Sequence, residues 1–220
     1  HRPLLSAMET PVLLFADADL AVCVKPVGCE CEHELPVLLA EALGGDAASF
    51  RCVHRLDRAV GGAMVFARTQ NAAAHLSRQV QLLEQEKEYL AVCSGVPAPR
   101  EGEMQDWIFK DSAKQKSFTV RAPRGGVKEA QLAYRVLETR ETDGAQRSLV
   151  RVALHTGRFH QIRCQFASRG HPLLGDGKYG SRERGCTVAL WSARLAFTHP
   201  ASGKRVVFDA PPPHGFPWDG

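Results

Sequence analysis

The chain has 220 residues, 44% of them hydrophobic, and a formal net charge of +4 at pH 7, which is enough apolar material for a substantial core in one large domain or two small ones. No stretch approaches the roughly eighteen apolar residues a membrane helix needs, and the N-terminus lacks a basic flank followed by a long apolar segment, so a soluble, unexported chain without membrane contact is expected. Seven cysteines at 23, 29, 31, 52, 93, 164 and 186 form no CxxC pair, which fits neither a disulfide framework nor a zinc site and points to reduced thiols in a cytoplasmic setting. Cys29, Cys31 and His33 come nearest to a metal cluster, but the triplet lacks a distant fourth ligand, and no metal is expected.

The charge is unevenly spread. Residues 1–50 carry two Lys or Arg against eight Asp or Glu, whereas residues 151–220 carry ten against four. A basic C-terminal third is either a solvated face or a surface that gains free energy by releasing counterions from nucleic acid.

In chain order, residues before Met8 read as a remnant of expression, and the N-terminal ten residues as that remnant or a disordered start. Apolar runs rich in β-formers follow at Val12 to Phe15, Leu20 to Val24, Ala63 to Ala67, Tyr89 to Cys93, Phe118 to Arg121, Ala130 to Leu137, Leu149 to Leu154, Val188 to Phe197 and Arg205 to Phe208. Helical spacing is found at Ala73, Leu76, Val80 and Leu83 behind a capping Thr69, and again after Gly157. Pro97 to Gly102 and Arg124-Gly125-Gly126 read as turns, the span Glu101 to Gly126 as a projecting lobe, and Pro211-Pro212-Pro213 as the end of the ordered pattern. Strands outnumber helices without alternating with them, so the expected class is α+β, a mixed and mainly antiparallel sheet flanked by helices. No linker divides the chain, and one domain over residues 11–213 with a tail at 214–220 is expected.

Two segments carry charge among apolar neighbours: His54-Arg55-Leu56-Asp57, and His160-Gln161-Ile162-Arg163 about a hundred residues later. If the helix after Gly157 is regular, Phe159, Ile162, Arg163 and Phe166 share a face. Arg163 is then expected at the edge of a buried stripe, where its guanidinium needs a carboxylate. Asp57 is one candidate, and a neighbouring Arg would hold it ionised, as suits a nucleophile or base. A plain structural salt bridge is the competing reading. By default His54, His155 and His160 are hydrogen-bonded scaffold, Tyr89 is packing, Arg55 and Arg58 face solvent, and Asp176 caps a turn in His171 to Gly180.

Four blocks in order decide between these readings. They are Ala21-Val22-Cys23-Val24-Lys25-Pro26-Val27-Gly28; His54-Arg55-Leu56-Asp57-Arg58 with Gly62 and the strand to Arg68; Lys87-Glu88-Tyr89-Leu90-Ala91-Val92-Cys93-Ser94-Gly95; and Leu154-His155-Thr156-Gly157-Arg158-Phe159-His160-Gln161-Ile162-Arg163, running on through Gly170-His171-Pro172 and Gly175-Asp176 to Tyr179-Gly180. Through them the chain, from about Val12 to Pro213, resembles the RluA family of RNA pseudouridine synthases.

The resemblance implies the pseudouridine synthase catalytic fold with a central cleft, and isomerisation of uridine in structured ribosomal or transfer RNA. The uracil N1–C1′ bond breaks, the base turns in place, and C5 joins C1′ while water is excluded. By the same resemblance Asp57 is the catalytic residue, Arg163 its basic partner, and Tyr89 the tyrosine that stacks on the base and takes part in proton transfer. Ile162 lines the base pocket, and Arg55 enters the RNA as the nucleotide leaves the stack. His54, Arg58, His155 and Arg158 are further candidates for substrate or RNA contact. Cofactors are expected to be none, since the reaction involves neither redox chemistry nor an activated leaving group. A monomer with no obligate protein partner and no S4 RNA-binding domain is expected. One departure stands out: the family commonly has Thr-Ser-Gly or Thr-Thr-Gly where this chain has Val60-Gly61-Gly62, which removes two hydroxyls and bears on substrate specificity. Two rivals are a catalytically silent RNA-binding or remodelling protein, and a nucleoside or glycoside hydrolase; the latter needs a second carboxylate, for which Asp176 is the candidate.

Overall fold

The computed structural model describes residues 10–219; all but the last of the residues read as an N-terminal remnant lie outside the described residues. In chain order the elements are β1 (Val12–Ala16), β2 (Leu20–Lys25), α1 (Glu34–Leu43), β3 (Arg51–Cys52), β4 (Gly61–Ala67), α2 (Gln70–Gln81), β5 (Glu86–Ser94), β6 (Glu101–Asp111), β7 (Lys116–Val120), β8 (Val127–Thr142), β9 (Ala145–Leu154), α3 (Gln161–Ser168), β10 (Leu190–Thr198) and β11 (Arg205–Asp209). The class is α+β. No helix among the described residues is long and apolar enough to cross a membrane.

The chain forms two compact units, one made of the residues up to Lys87 with Ser192–Pro211, the other of Glu88–Trp191 with the stretch from Pro212 onward. The divisions fall inside β5 and β10, which is why no linker is visible in the sequence.

In the first unit the strand order is β1-β2-β4-β10, with β11 beside β10 and β3 beside β4. β2 and β4 pair antiparallel from Leu20 opposite Ala67 to Lys25 opposite Gly62. Every residue of β4 is buried, and Leu20, Val22, Ala63, Val65, Leu195 and Phe197 pack with Ala72 and Leu76 of α2 in one apolar cluster. As expected, α2 begins at Thr69, whose hydroxyl accepts from Ala72 N–H (3.1 Å). The first helix, α1, has no counterpart among the expected elements. Pro36 interrupts its apolar run but is tolerated in the first turn, and the carboxylate of Glu30 accepts from the amides of Glu32, His33 and Glu34. Burial works against the Glu30 charge, but these donors prevail and hold its carboxyl below the ordinary range.

In the second unit the order is β5-β9-β8-β6-β7. β8 and β9 form a long hairpin closed by Asp143-Gly144, both at positive φ (52° and 77°), a two-residue turn suited to strand twist. Residues 101–126, expected to be a projecting lobe, instead supply β6 and β7, which pair from Trp107 opposite Val120 to Asp111 opposite Lys116. α3 lies against these two strands. The proline run is followed by a turn in which Trp218 packs against the cluster of Val92, Leu174 and Ala189.

Gly62 is the most constrained position of the first unit. Its φ is +122°, and a Cβ there would come 2.2 Å from the carbonyl oxygen of Ser192, whose own hydroxyl donates to Ala63 O (2.9 Å). Substitution must strain the backbone or separate the two chain segments. Gly62→Ala is expected to lower stability by about 3 kcal/mol or more, read as a fall in the urea midpoint. A shift no larger than that of an exposed substitution contradicts the close packing.

Candidate functional site

The first unit holds Asp57 on the turn between β3 and β4, where Asp57 O accepts from Val60 N–H (2.9 Å). That turn is clamped from below by Lys25. This lysine ends an apolar strand and is 0% exposed. Its Nζ donates to the carbonyl oxygens of Pro26 (3.0 Å), Cys29 (2.5 Å) and Arg58 (3.1 Å). Three oriented carbonyl dipoles thus solvate an ammonium that water does not reach. The same two segments are joined again where Gly28 N–H donates to Arg58 O (2.7 Å) and Arg58 Nη1 donates to Gly28 O (3.1 Å).

The other expected contacts of this loop differ in kind. Arg55 is largely exposed and pairs with Glu32; Arg58 pairs with Glu34 at 2.5 Å. His54 was a candidate for RNA contact, but its ring is buried and its Nε2 accepts from Val65 N–H (3.0 Å). Its proton therefore sits on Nδ1, which is buried without a hydrogen-bond partner. Burial, with Lys87 nearby, pushes the His54 pKa well below the usual histidine range. A neutral imidazole holding β4 is scaffold, and solvent-facing RNA does not reach it. Val60 takes the place of a hydroxyl residue and is core, 1% exposed. Two thiols also hold the loop backbone: Cys52 Sγ donates to His54 O (2.9 Å) and Cys31 Sγ to Leu56 O (3.6 Å). Burial pushes the Cys29 thiol up to about 11, so it stays protonated at neutral pH.

One group among the described residues has metal-ligand spacing, Asp17, Asp19 and His199. His199 Nδ1 accepts from the amides of Ala201 and Ser202, which leaves its Nε2–H to donate to Asp17 Oδ2 (2.7 Å). Asp17 Oδ1 accepts from Asp19 and Leu20 N–H. Each of these atoms already serves a turn, so the group is a structural clasp.

In the second unit the block from Leu154 to Arg163 is a loop running into α3. The helix starts only at Gln161, behind His160 at φ 53°, so Phe159 lies outside it and its ring stacks on His160 (3.8 Å between centroids). Gln161 shapes the loop: its Oε1 accepts from Thr156 Oγ1 (2.8 Å) and Arg158 N–H (3.0 Å), and its Nε2 donates to Gln131 O (3.1 Å). Arg158 Nε is turned to Glu129 O (2.8 Å), while His155 is exposed. Residues 161–166 are all buried, so α3 has no single apolar stripe and Arg163 lies inside, at 8% exposure, and not at an edge.

The carboxylate that a buried guanidinium demands is supplied within this unit by Asp176. Arg163 Nε and Nη2 each donate to one of its oxygens at 2.8 Å, a bidentate pair. The sequence reading offers Asp57 as a partner of Arg163 and takes Asp176 only as a turn cap or a hydrolase's second carboxylate, although Arg163 and Asp176 stand in the same motif block. Arg163 Nη1 also lies 3.1 Å from His160 Nε2, and its guanidinium lies over the Tyr179 ring. Arginine only donates, so His160 carries its proton on Nδ1 and gives it to Tyr179 Oη (2.9 Å), which also accepts from Ser117 N–H. Tyr89 (7% exposed) and Ile162 (4%) are buried. Asp176 itself is 1% exposed. Locked on Arg163, it is not the second carboxylate that a hydrolase requires.

These placements give a pH dependence. Burial lowers the pKa of Lys25 and of Lys87 from 10.5 to about 8. Between those limits the unfolded chain binds more protons, so stability rises with pH from about 8 to 10.5. His54 adds the same sign below its ordinary value of 6.5, where acid must protonate a buried ring or unfold the chain. Urea denaturation at intervals across both windows checks this. The His54→Gln variant is expected to flatten the acid limb alone, and an unchanged acid limb contradicts the assignment.

A family model described as RNA pseudouridylate synthase matches residues 19–168. The chain is 34% identical over 209 residues to the "Dual-specificity RNA pseudouridine synthase RluA" of Escherichia coli (strain K12), covering 91% of this chain and 92% of that protein. It is 33% identical over 227 residues to an "Uncharacterized RNA pseudouridine synthase" of Aquifex aeolicus, covering 93% and 70%. It is 37% identical over 175 residues to the "Ribosomal large subunit pseudouridine synthase D" of Neisseria meningitidis, covering 74% and 45%. Among solved structures, the human "RNA Pseudouridylate Synthase Domain Containing 1" superposes with a TM-score of 0.81 at 25% identity, covering 97% of this chain and 86% of that one.

Proposed function

We propose, for a chain that belongs to the RNA pseudouridylate synthase family and so isomerises uridine to pseudouridine in RNA, that Asp57 is the catalytic residue. Tyr89 and Arg163 are its aromatic and basic companions in catalysis. The observation that carries this reading is the construction of the Asp57 turn: a half-buried carboxylate on a loop that a fully buried ammonium, two thiols and a histidine hold in one shape. A reacting group held by its supports needs little reorganisation at the moment of reaction.

In the proposed reaction the extruded uridine stacks on the Tyr89 ring, Asp57 acts on the detached or detaching nucleoside, and Arg163 keeps the site's negative charge stable. The N1–C1′ bond breaks, C1′–C5 forms, and the proton on C5 leaves last, so its loss reports turnover by any route through the intermediate. Arg55, Arg58, His155 and Arg158 are proposed to contact the RNA. The substrate is proposed to be a stem-loop of ribosomal or transfer RNA; the name of the Neisseria relative, a ribosomal large subunit pseudouridine synthase, supports the ribosomal choice. The enzyme is proposed to work as a cytoplasmic monomer without a cofactor.

Release of tritium from RNA labelled at uridine C5 tests the assignment. Wild-type protein is expected to release tritium and to leave every base attached, whereas free uracil on chromatography indicates a hydrolase. Asp57→Asn is expected to keep its melting temperature and RNA affinity but release no tritium above background; near-normal release refutes the role of Asp57. Tyr89→Phe keeps the ring and removes the hydroxyl, and a drop of about 100-fold or more is expected if that hydroxyl moves the proton.

A further inference from the structure

Five arginines of the second unit are neutralised by acids: Arg135, Arg140, Arg147, Arg163 and Arg169 each pair with a carboxylate. The β6–β7 hairpin and the loop after it are different. Between Trp107 and Lys128 there are six cations, Lys110, Lys114, Lys116, Arg121, Arg124 and Lys128, against one acid, Asp111. None of the six is in an ion pair among the described residues. Asp111 turns one oxygen to the backbone N–H of Lys114 (3.1 Å).

The cations are interleaved with aromatic rings. Phe109 and Phe118 stand directly opposite in register, so both rings project from one face of the hairpin, and both remain partly exposed. Lys114 and Lys116 lie over Phe118 (5.5 and 5.2 Å), and Arg124 lies over Phe109 (5.2 Å). Such contacts are weak at an exposed site, so these side chains can exchange a ring for a phosphate and leave the ring face to a base. Rings flanked by unpaired cations on an open sheet face are the arrangement that binds single-stranded nucleic acid through its bases and backbone together.

We infer that this face of the β6–β7 hairpin docks a single-stranded stretch of the RNA substrate, with Phe109 and Phe118 stacking bases and Lys114, Lys116 and Arg124 contacting phosphates. This rests on the reading of the chain as an enzyme of RNA and extends it to a surface remote in sequence from Asp57. Charge complementarity favours RNA as the occupant, because a local excess of five positive charges over 22 residues has little to neutralise it except a polyanion.

The test uses the full chain with Lys114, Lys116 and Arg124 changed together to Gln, Phe118→Ala separately, and a charge-matched control with Gln at Arg51, Arg78 and Lys204 of the first unit. Binding of a fluorescent oligouridylate is measured across salt concentrations, and tritium release is measured against concentration of a C5-labelled ribosomal RNA transcript. The triple variant is expected to bind the oligonucleotide at least about tenfold more weakly near 0.15 M salt, with a dependence of log K on log salt shallower by about 2. Its KM for the transcript should rise while turnover at saturation is kept. Phe118→Ala should weaken binding by about tenfold without changing the salt slope, and the control should match wild type. Wild-type affinity and slope in the triple variant overturn the inference, including the outcome in which it only aggregates more, since the lysines would then serve merely to keep the edge strand β7 from pairing with another chain. Should oligouridylate binding respond as expected while wild-type protein releases no tritium from any RNA, the inference stands and the proposed function fails.

Discussion

A single buried ammonium organises the part of the first unit that matters most. Lys25 leaves an apolar strand at the point where the chain must turn, and desolvation of its charge costs several kcal/mol. That cost is offset only if the three carbonyls of Pro26, Cys29 and Arg58 stay aimed at Nζ. The requirement is geometric: the Lys25-Pro26-Val27-Gly28 turn and the turn holding Asp57 cannot drift apart without stranding the charge. The outer pairs, Arg58 with Glu34 and Arg55 with Glu32, are exposed and contribute far less. A shape set by one deeply buried group is therefore presented to solvent on a carboxylate that is itself only half-buried.

The second unit also holds a buried cation, there a guanidinium. Arg163 and Asp176 close a bidentate pair in the interior, and His160, Tyr179 and Ser117 extend it as a chain of hydrogen bonds to β7. Charge on this unit is partitioned by role. Arginines that build the fold meet acids, while the cations of the β6–β7 hairpin meet rings and solvent. An enzyme acting on a polyanion benefits from that division, because neutralised charges do not release counterions from the substrate.

Much of this was legible in the residues. Runs of β-branched and apolar residues located nine strands to within a few positions, since burial on one or both faces leaves a strong signal. The cap at Thr69 placed α2. The failures have physical causes. β6 buries only Met104 and Ile108 closely, four residues apart, so it lacks the period of two on which strand reading depends. The start of α1 was hidden by Pro36 and by a cap that comes from Glu30, ahead of the helix. The Asp143-Gly144 turn was readable from its dipeptide and was passed over. The motif blocks marked where the site lies but not which charges pair. Lys25 and Asp176 both stand inside quoted motifs, yet their function is set by three carbonyls and one guanidinium brought together by folding, and no spacing rule encodes that.

Amide hydrogen exchange on Lys25→Met tests the central claim most directly. The amides of Gly28 and Val60, whose acceptors are Arg58 O and Asp57 O, are predicted to lose protection together, while the amide of Ala72 at the start of α2 and that of Val92 in β5 keep theirs. Unchanged protection at Gly28 and Val60 would show that the Asp57 turn holds its shape without the buried ammonium, and would contradict the account.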